Sequence, residues 1–86
     1  MLFRSRIDLG DFADVTAHSV GNLVVEFTHP LCSDCRELER RLRSEGRNVV
    51  TVDVRERPDL ARKYGISLVP TAVMVGPSGV VTTRLA

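Results

Sequence analysis

The chain has 86 residues, of which 43% are apolar and 27% charged, and a formal net charge of +1. This length allows one domain with a modest core, so we expect a single domain over residues 1–86. The near-neutral charge and the lack of a basic block argue against binding nucleic acid through its phosphates. Because the sequence has no apolar run long enough for a secretory signal or a membrane-spanning helix, we expect a cytoplasmic protein that does not enter membranes.

The N-terminal part of the chain carries weak signals for one strand and one helix. Alternation over residues 2–7 predicts a short strand, and residues 8–11 have the composition of a turn with candidate helix N-caps. Apolar side chains at helical spacing then predict a helix over residues 11–18, which Gly21 ends.

The middle of the chain has stronger patterns. Residues 23–27 are nearly continuous apolar sequence, typical of a strand that is covered on both faces of a sheet. Pro30 must follow the end of this strand because proline has no backbone N–H to donate. Residues 31–45 then predict a helix. Its apolar and soft side chains lie on one helical face and are Leu31, Cys35, Leu38 and Leu42.

The last third of the chain predicts one more strand, one more helix and a hairpin. The strand covers residues 48–54, and the helix begins at Pro58 and ends at Gly65. Residues 71–75 and 80–83 predict an antiparallel hairpin around a glycine- and proline-containing turn. The order β-α-β-α-β-α-β-β favours an α/β fold with a central mixed sheet of about five strands and helices on both faces.

The two cysteines, Cys32 and Cys35, stand at the start of the predicted helix over residues 31–45. The partial positive charge of a helix N-terminus stabilises a thiolate, which lowers the pKa of Cys32 from about 8.5 toward ~7 or below. Cys35 lies on the apolar face, where burial disfavours its thiolate. An exposed, acidic thiol beside a buried one is the arrangement that disulfide exchange requires.

Other interpretations of this cysteine pair stay open at this point. Asp34 disfavours a thiolate and a protonated His29 would favour it, while an exposed loop histidine without a role is the simpler interpretation of His29. The pair is also compatible with half of a zinc site or with two inert thiols. Because His18 and His29 are the only imidazoles and match no common zinc module, we expect no metal and no cofactor.

Two segments, VVEFTHPLCSDCREL and VDVRERPDLARKYGISLVPTAVMVGPSG, resemble the thioredoxin family across residues 24–79. They contain the CxxC motif, the helix end PDLARKYGI, the tripeptide VPT and the glycine turn before the last strand. The resemblance implies a thioredoxin-like fold and a disulfide reductase in which Cys32 is the attacking nucleophile and Cys35 the resolving thiol. Two alternatives are a redox-inert thioredoxin-fold binding module and a protein that binds a metal or an iron–sulfur cluster across a dimer.

The resemblance also assigns roles outside the cysteine pair. It implies a cis peptide at Val69–Pro70, with the Val69 backbone pairing with an extended substrate; the alternative is a trans proline that starts a strand. It identifies Glu26 as a buried acid that accepts the proton of Cys35, whereas strand alternation alone would allow it to face solvent. The expected substrate-binding residues are Val69, Pro70, Leu31 and Ser33.

The chain departs from the family pattern in several positions. The tryptophans that flank the family motif are Thr28 and Leu31 here, the dipeptide between the cysteines is Ser33-Asp34, and Thr51 stands where a lysine accompanies the buried acid. The sequence stops just after the last strand without the further helix of the family, so we expect the sheet face left bare to be covered by a second copy in a homodimer or by a partner. As partners we expect disulfide-containing proteins or small thiol substrates, with a reductase or a low-molecular-weight thiol as electron donor.

Overall fold

The computed structural model describes residues 6–12 and 23–86. Within these ranges the chain forms four strands and two α-helices, together with a 3₁₀ helix at Leu9–Phe12. The strands are β1 (Leu23–Thr28), β2 (Asn48–Asp53), β3 (Thr71–Val75) and β4 (Val81–Arg84). The helices are α1 (Ser33–Ser44) and α2 (Pro58–Lys63).

The four strands make one mixed sheet in the order β2-β1-β3-β4. β1 runs parallel to β2 and antiparallel to β3, and β3 and β4 form the antiparallel hairpin that the turn sequence predicts. The α/β class and the mixed sheet are therefore confirmed. The described residues contain four strands instead of about five.

In the described part of the N-terminal segment, residues 6–12, an isolated bridge joins the chain to the sheet. Arg6 pairs with Val80 in antiparallel fashion, and the Ile7 N–H donates to the carbonyl of Gly79 at 2.7 Å. Gly79 has a φ of 92°, and a Cβ there would lie 2.5 Å from the Ile7 carbonyl oxygen, so a larger residue would disrupt this contact. Most of the strand and of the helix predicted at residues 2–7 and 11–18 lies outside the described residues.

Side-chain alternation in β1 divides the core between the two faces of the sheet. Leu23, Val25 and Phe27 pack with Leu60 and Tyr64 in one buried cluster on the face covered by α2. On the opposite face, the buried cluster consists of Val24 and Ala72 from the sheet, Val49 from β2, and Leu38 and Leu42 from α1. Helices therefore cover both faces, as the order of elements predicts.

The start of α1 corrects one sequence prediction. The helix begins at Ser33 and not at residue 31, because a turn at Pro30–Leu31 precedes it and Cys32 is its N-cap. Leu31 therefore does not share the buried helical face: it is 86% exposed, whereas Cys35, Leu38 and Leu42 are buried.

None of the helices in residues 6–12 and 23–86 is long and apolar enough to cross a membrane.

Candidate active site

A disulfide bond joins Cys32 to Cys35 at the start of α1, with their Cα atoms 5.3 Å apart. The two cysteines differ in accessibility because they occupy different positions on the helix. Cys32 is the N-cap and is partly exposed, while Cys35 lies one turn into the helix on its buried face and is only 1% exposed. This asymmetry agrees with the sequence prediction of an accessible and a buried thiol.

The sulfur of Cys32 also caps the helix. It accepts a hydrogen bond from the Cys35 N–H at 3.1 Å, one of the backbone donors that a helix N-terminus leaves without an intrahelical partner. When the disulfide is reduced, the same donor and the partial positive charge of the helix N-terminus would favour a thiolate on Cys32.

A hydrogen-bonded turn connects β1 to Cys32. The Cys32 N–H donates to the His29 carbonyl at 3.0 Å, and the Leu31 N–H donates to His29 Nδ1 at 3.1 Å. The Arg36 guanidinium donates to the Pro30 carbonyl at 2.9 Å. His29 is therefore part of the turn through a hydrogen bond of its side chain, and the expectation of a loop histidine without a role is wrong. The sequence signal for this role is a polar side chain directly before a proline, at the first position of a turn.

The loop before β3 approaches the same end of the sheet. Its Val69–Pro70 peptide bond is cis, and the Thr71 hydroxyl holds the loop by donating to the Leu68 carbonyl at 2.6 Å. Because Thr71 pairs with Phe27 in the antiparallel β1–β3 register, Pro70 lies at the end of the sheet from which β1 leads into the turn before Cys32. The fold thus brings the Val69–Pro70 loop and the cysteines to the same end of the sheet.

Leu68 is a residue of this loop that the sequence interpretation missed. Its side chain is 77% exposed, and it is one of the few large apolar side chains on the surface of the described residues, together with Leu31. Its neighbours in the sequence ISLVP are mostly apolar, so nothing in the pattern marks Leu68 as exposed. Ser33, the first residue of α1, is exposed as well.

Glu26 is completely buried in β1, on the sheet face that α1 covers. Its strand neighbours are Thr51 in β2 and Ala72 in β3, so the residue at position 51 offers no positive charge. Neither carboxylate oxygen has a hydrogen-bond partner among the residues that the structure describes. Burial, reinforced by the charge of Glu39 and opposed by Arg43, raises the pKa of Glu26 to about 7.

Across the described ranges 6–12 and 23–86, no three His, Cys, Asp or Glu side chains are grouped closely enough to hold a metal ion. Comparison with known proteins places the site in a family. The thioredoxin family model matches residues 6–84, which is nearly the whole chain.

The chain belongs to the thioredoxin family. Among solved structures, it is similar to a mutant thioredoxin from Halobacterium salinarum, with 25% identity and a TM-score of 0.72 over 90% of this chain and 70% of that one. A Schistosoma mansoni thioredoxin shares the fold at 24% identity and a TM-score of 0.71, covering 90% of this chain and 77% of the other. A Plasmodium falciparum thioredoxin does so at 18% identity and 0.72, covering 91% and 70%. Among curated protein sequences, none matched this chain.

The family and the site agree at the level of reaction class. A thioredoxin domain whose two CxxC cysteines form a disulfide supports thiol–disulfide oxidoreductase chemistry in general. In this thioredoxin-family chain, the cysteines and the cis-proline loop lie at the end of the sheet at which β1 finishes and β3 starts, and Glu26 lies within β1 on the face that α1 covers.

Proposed function

We propose that this protein is a disulfide reductase that works by dithiol exchange through Cys32 and Cys35. The observation that carries the proposal is the asymmetry of the pair, because only the N-cap cysteine is accessible while its bonded partner is buried one turn into α1. An accessible sulfur can attack a disulfide in another molecule, and a buried one can react only with its neighbour.

In the first step, the Cys32 thiolate attacks one sulfur of the substrate disulfide and forms a mixed disulfide, while the other substrate sulfur leaves as a thiolate. In the second step, the Cys35 thiolate attacks the Cys32 sulfur and releases the remaining substrate thiolate. The substrate gains two electrons, and the protein is left with the Cys32–Cys35 disulfide that the structure contains. A reductase or a low-molecular-weight thiol would return these two electrons to the protein.

Glu26 is proposed as the group that accepts the proton of Cys35. Cys35 must lose its proton before the second step, and its burial disfavours the thiolate. Glu26 is a buried carboxylate on the sheet face that α1 and Cys35 cover, and its raised pKa of about 7 is near the value that a general base needs at neutral pH. Its lack of hydrogen-bond partners among the described residues leaves both oxygens available.

Substrate binding is proposed for the surface around Cys32. Leu31 and Ser33 flank the cysteine and are exposed, and we add Leu68 because its exposed side chain belongs to the loop at the same end of the sheet. Exposed apolar side chains of this kind mark contact sites for proteins. The backbone of Val69 before Pro70 would pair with an extended stretch of the substrate.

The proposed partners are disulfide-containing proteins or small disulfides as substrates, and a reductase or a low-molecular-weight thiol as donor. A reducing cytoplasm is the compartment in which such a dithiol would be kept active. A homodimer is also part of the proposal, and its sedimentation mass at micromolar concentration checks it.

Reduction of insulin disulfides by the protein with excess dithiol as donor tests the function. We expect the wild type to reduce insulin and Cys32→Ser to fall to the rate of the dithiol alone, because the attacking sulfur is lost. Cys35→Ser is the matched control: it keeps the nucleophile but not the resolving thiol, so the reduced variant, freed of dithiol and mixed with insulin, should accumulate a mixed disulfide visible by mass spectrometry. Equal insulin reduction by the wild type and Cys32→Ser would refute the proposal and favour a binding module.

A further inference from the structure

The turn that leads into Cys32 depends on the side chain of His29. Residues His29 to Cys32 form a β-turn, closed by the bond from the Cys32 N–H to the His29 carbonyl, with Pro30 at its second position. The first position of such turns favours Asp, Asn and Ser because their side chains accept the backbone N–H two residues on. Here His29 Nδ1 accepts the Leu31 N–H at 3.1 Å and takes that part.

An imidazole can accept this hydrogen bond only while it is neutral. A neutral ring has one acceptor nitrogen, whereas both ring nitrogens of a protonated ring are donors. Protonation of His29 would therefore replace an acceptor by a donor opposite the Leu31 N–H. The other side-chain contact of the turn does not change in this way, because the Arg36 guanidinium on the Pro30 carbonyl keeps its charge at all ordinary pH values.

We propose that His29 is a positioning residue whose neutral form holds the turn that presents Cys32 for attack on a disulfide, and whose protonation releases that turn. The inference rests on the proposed function, since it concerns the same nucleophile. Its physical reason is that disulfide attack needs the incoming sulfur in a defined approach, and loss of positioning lowers the rate of a step whose chemistry is otherwise unchanged.

Protonation of His29 would also act on Cys32 through charge, in the opposite direction. A positive ring favours the thiolate and so raises its fraction, whereas release of the turn lowers the rate at which each thiolate reacts. Among the described residues, the charged side chains that follow the turn in sequence or pair with its strand include Asp34 and Arg36 in the first turn of α1, and Asp53, the strand partner of Thr28. The experiment must therefore measure the thiolate fraction and the rate per thiolate separately.

The test compares the wild type with His29→Asn, which keeps a side-chain acceptor that does not titrate, and with His29→Ala, which removes the acceptor. Reduced protein is mixed with 5,5′-dithiobis(2-nitrobenzoate) in a single turnover. Cys32 forms a mixed disulfide with one half of the reagent and expels the other as a coloured thiolate. The rate is measured from about pH 8 to about pH 5, where histidine changes charge. It is then divided by the Cys32 thiolate fraction, taken from its ultraviolet absorbance.

We expect the wild-type rate per thiolate to fall about three- to tenfold on acidification, in step with the His29 ring resonances, which is the range that loss of one hydrogen bond gives. His29→Asn should stay within about twofold of the wild-type rate at pH 8 and show no such fall. His29→Ala should be slow throughout and equally flat. Rescue by asparagine and the lost pH dependence are results that a general loss of stability does not produce.

The Leu31 backbone amide gives a second measurement that needs no reaction. Its proton resonance should follow the titration of the His29 ring in the wild type and should not titrate with it in His29→Asn. The inference is overturned if the chemical shift of the Leu31 amide proton does not change as the His29 ring titrates. It is also overturned if the wild type and His29→Asn have the same pH profile of rate per thiolate. Because neither measurement uses a protein substrate, failure to reduce insulin would overturn the proposed function alone and leave this result standing.

Discussion

Each face of the sheet has a carboxylate that is at least partly buried, and the two differ in their hydrogen bonds. Asp11, near α2, has a side chain that is 21% exposed and receives hydrogen bonds from Lys63 at 2.8 Å and from the Tyr64 hydroxyl at 2.6 Å. Glu26, on the α1 face, is fully buried and has no partner among the described residues. Asp11 links the N-terminal segment to α2 through hydrogen bonds, whereas Glu26 makes no such bonds on the face that α1 covers.

The two environments move the acidities in opposite directions. Burial works to raise the pKa of Asp11, but its hydrogen bonds to Lys63 and Tyr64 outweigh that effect and hold it below the ordinary value. Burial without partners raises the pKa of Glu26 to about 7. Asp11 therefore stabilises the fold above its ordinary pKa and loses that contribution in acid. Glu26 costs stability as the pH rises from its ordinary value of 4.5 toward 7, because the unfolded chain releases that proton first.

The largest expected effect is at Glu26. We expect wild-type stability to fall relative to Glu26→Gln between about pH 4.5 and about pH 8, by as much as about 3 kcal/mol, because each tenfold change in proton affinity corresponds to about 1.36 kcal/mol. Urea unfolding of both proteins across this range measures the difference, and other titrating groups cancel in the comparison. A difference that stays constant with pH would mean that Glu26 ionises normally.

The same substitution also tests the proton-acceptor role. Glu26→Gln should slow resolution of the mixed disulfide at pH 7 by about a hundredfold, the low end of what a positioned base contributes. It should leave the first attack by Cys32 unaffected. Glu26→Leu serves as the control for packing. It removes the base, as Glu26→Gln does, but it also removes the buried polar group.

A smaller effect on stability is expected at Asp11. Asp11→Asn should lower the free energy of unfolding by about 1–2 kcal/mol at neutral pH, because it weakens hydrogen bonds to a charged acceptor. The loss should disappear as the pH falls through the lowered pKa of Asp11, where the wild type is protonated too. Thermal unfolding at neutral and acid pH measures it, with Tyr64→Phe as a control that removes one of the two donors. A loss that persists in acid would point to packing instead of charge.

The smallest effect separates the two charges that modulate Glu26. Glu39 and Arg43 form an ion pair on α1 with an Nε–Oε2 distance of 3.0 Å, and they act on the pKa of Glu26 with opposite signs. Glu39→Gln should lower the Glu26 titration midpoint and Arg43→Gln should raise it, each by about a few tenths of a pH unit because exposed charges interact weakly. The carboxyl carbon resonance of Glu26 reports both midpoints. Shifts in the same direction for both variants would rule out this electrostatic account.

Sequence patterns predicted best where the physics is local. The apolar run of β1, the hairpin over β3 and β4, and the buried face of α1 at Cys35 follow from periodicity, and each is confirmed. The family resemblance, and not a periodicity, sets Thr51 beside the buried acid, and the parallel register pairs it with Glu26.

The errors arose where a single hydrogen bond or a tertiary contact decides the outcome. The spacing of Leu31 fits the helical face, yet the turn closed by His29 excludes it from the helix and leaves it exposed. The acceptor role of His29 depends on a ring orientation that no periodicity encodes. Leu68 was not selected because its neighbours are mostly apolar, yet it is exposed in the loop that the Thr71 hydroxyl holds.

The short spacing of the cysteines has a consequence for folding. The disulfide links residues only three positions apart, so it closes a very small loop. A cross-link removes conformational freedom from the unfolded chain by an amount that grows with the logarithm of loop length, so a loop of this size removes less than a long one does. The bond therefore stabilises the domain less than a disulfide between distant residues would, so opening it in the proposed reaction cycle costs the fold less.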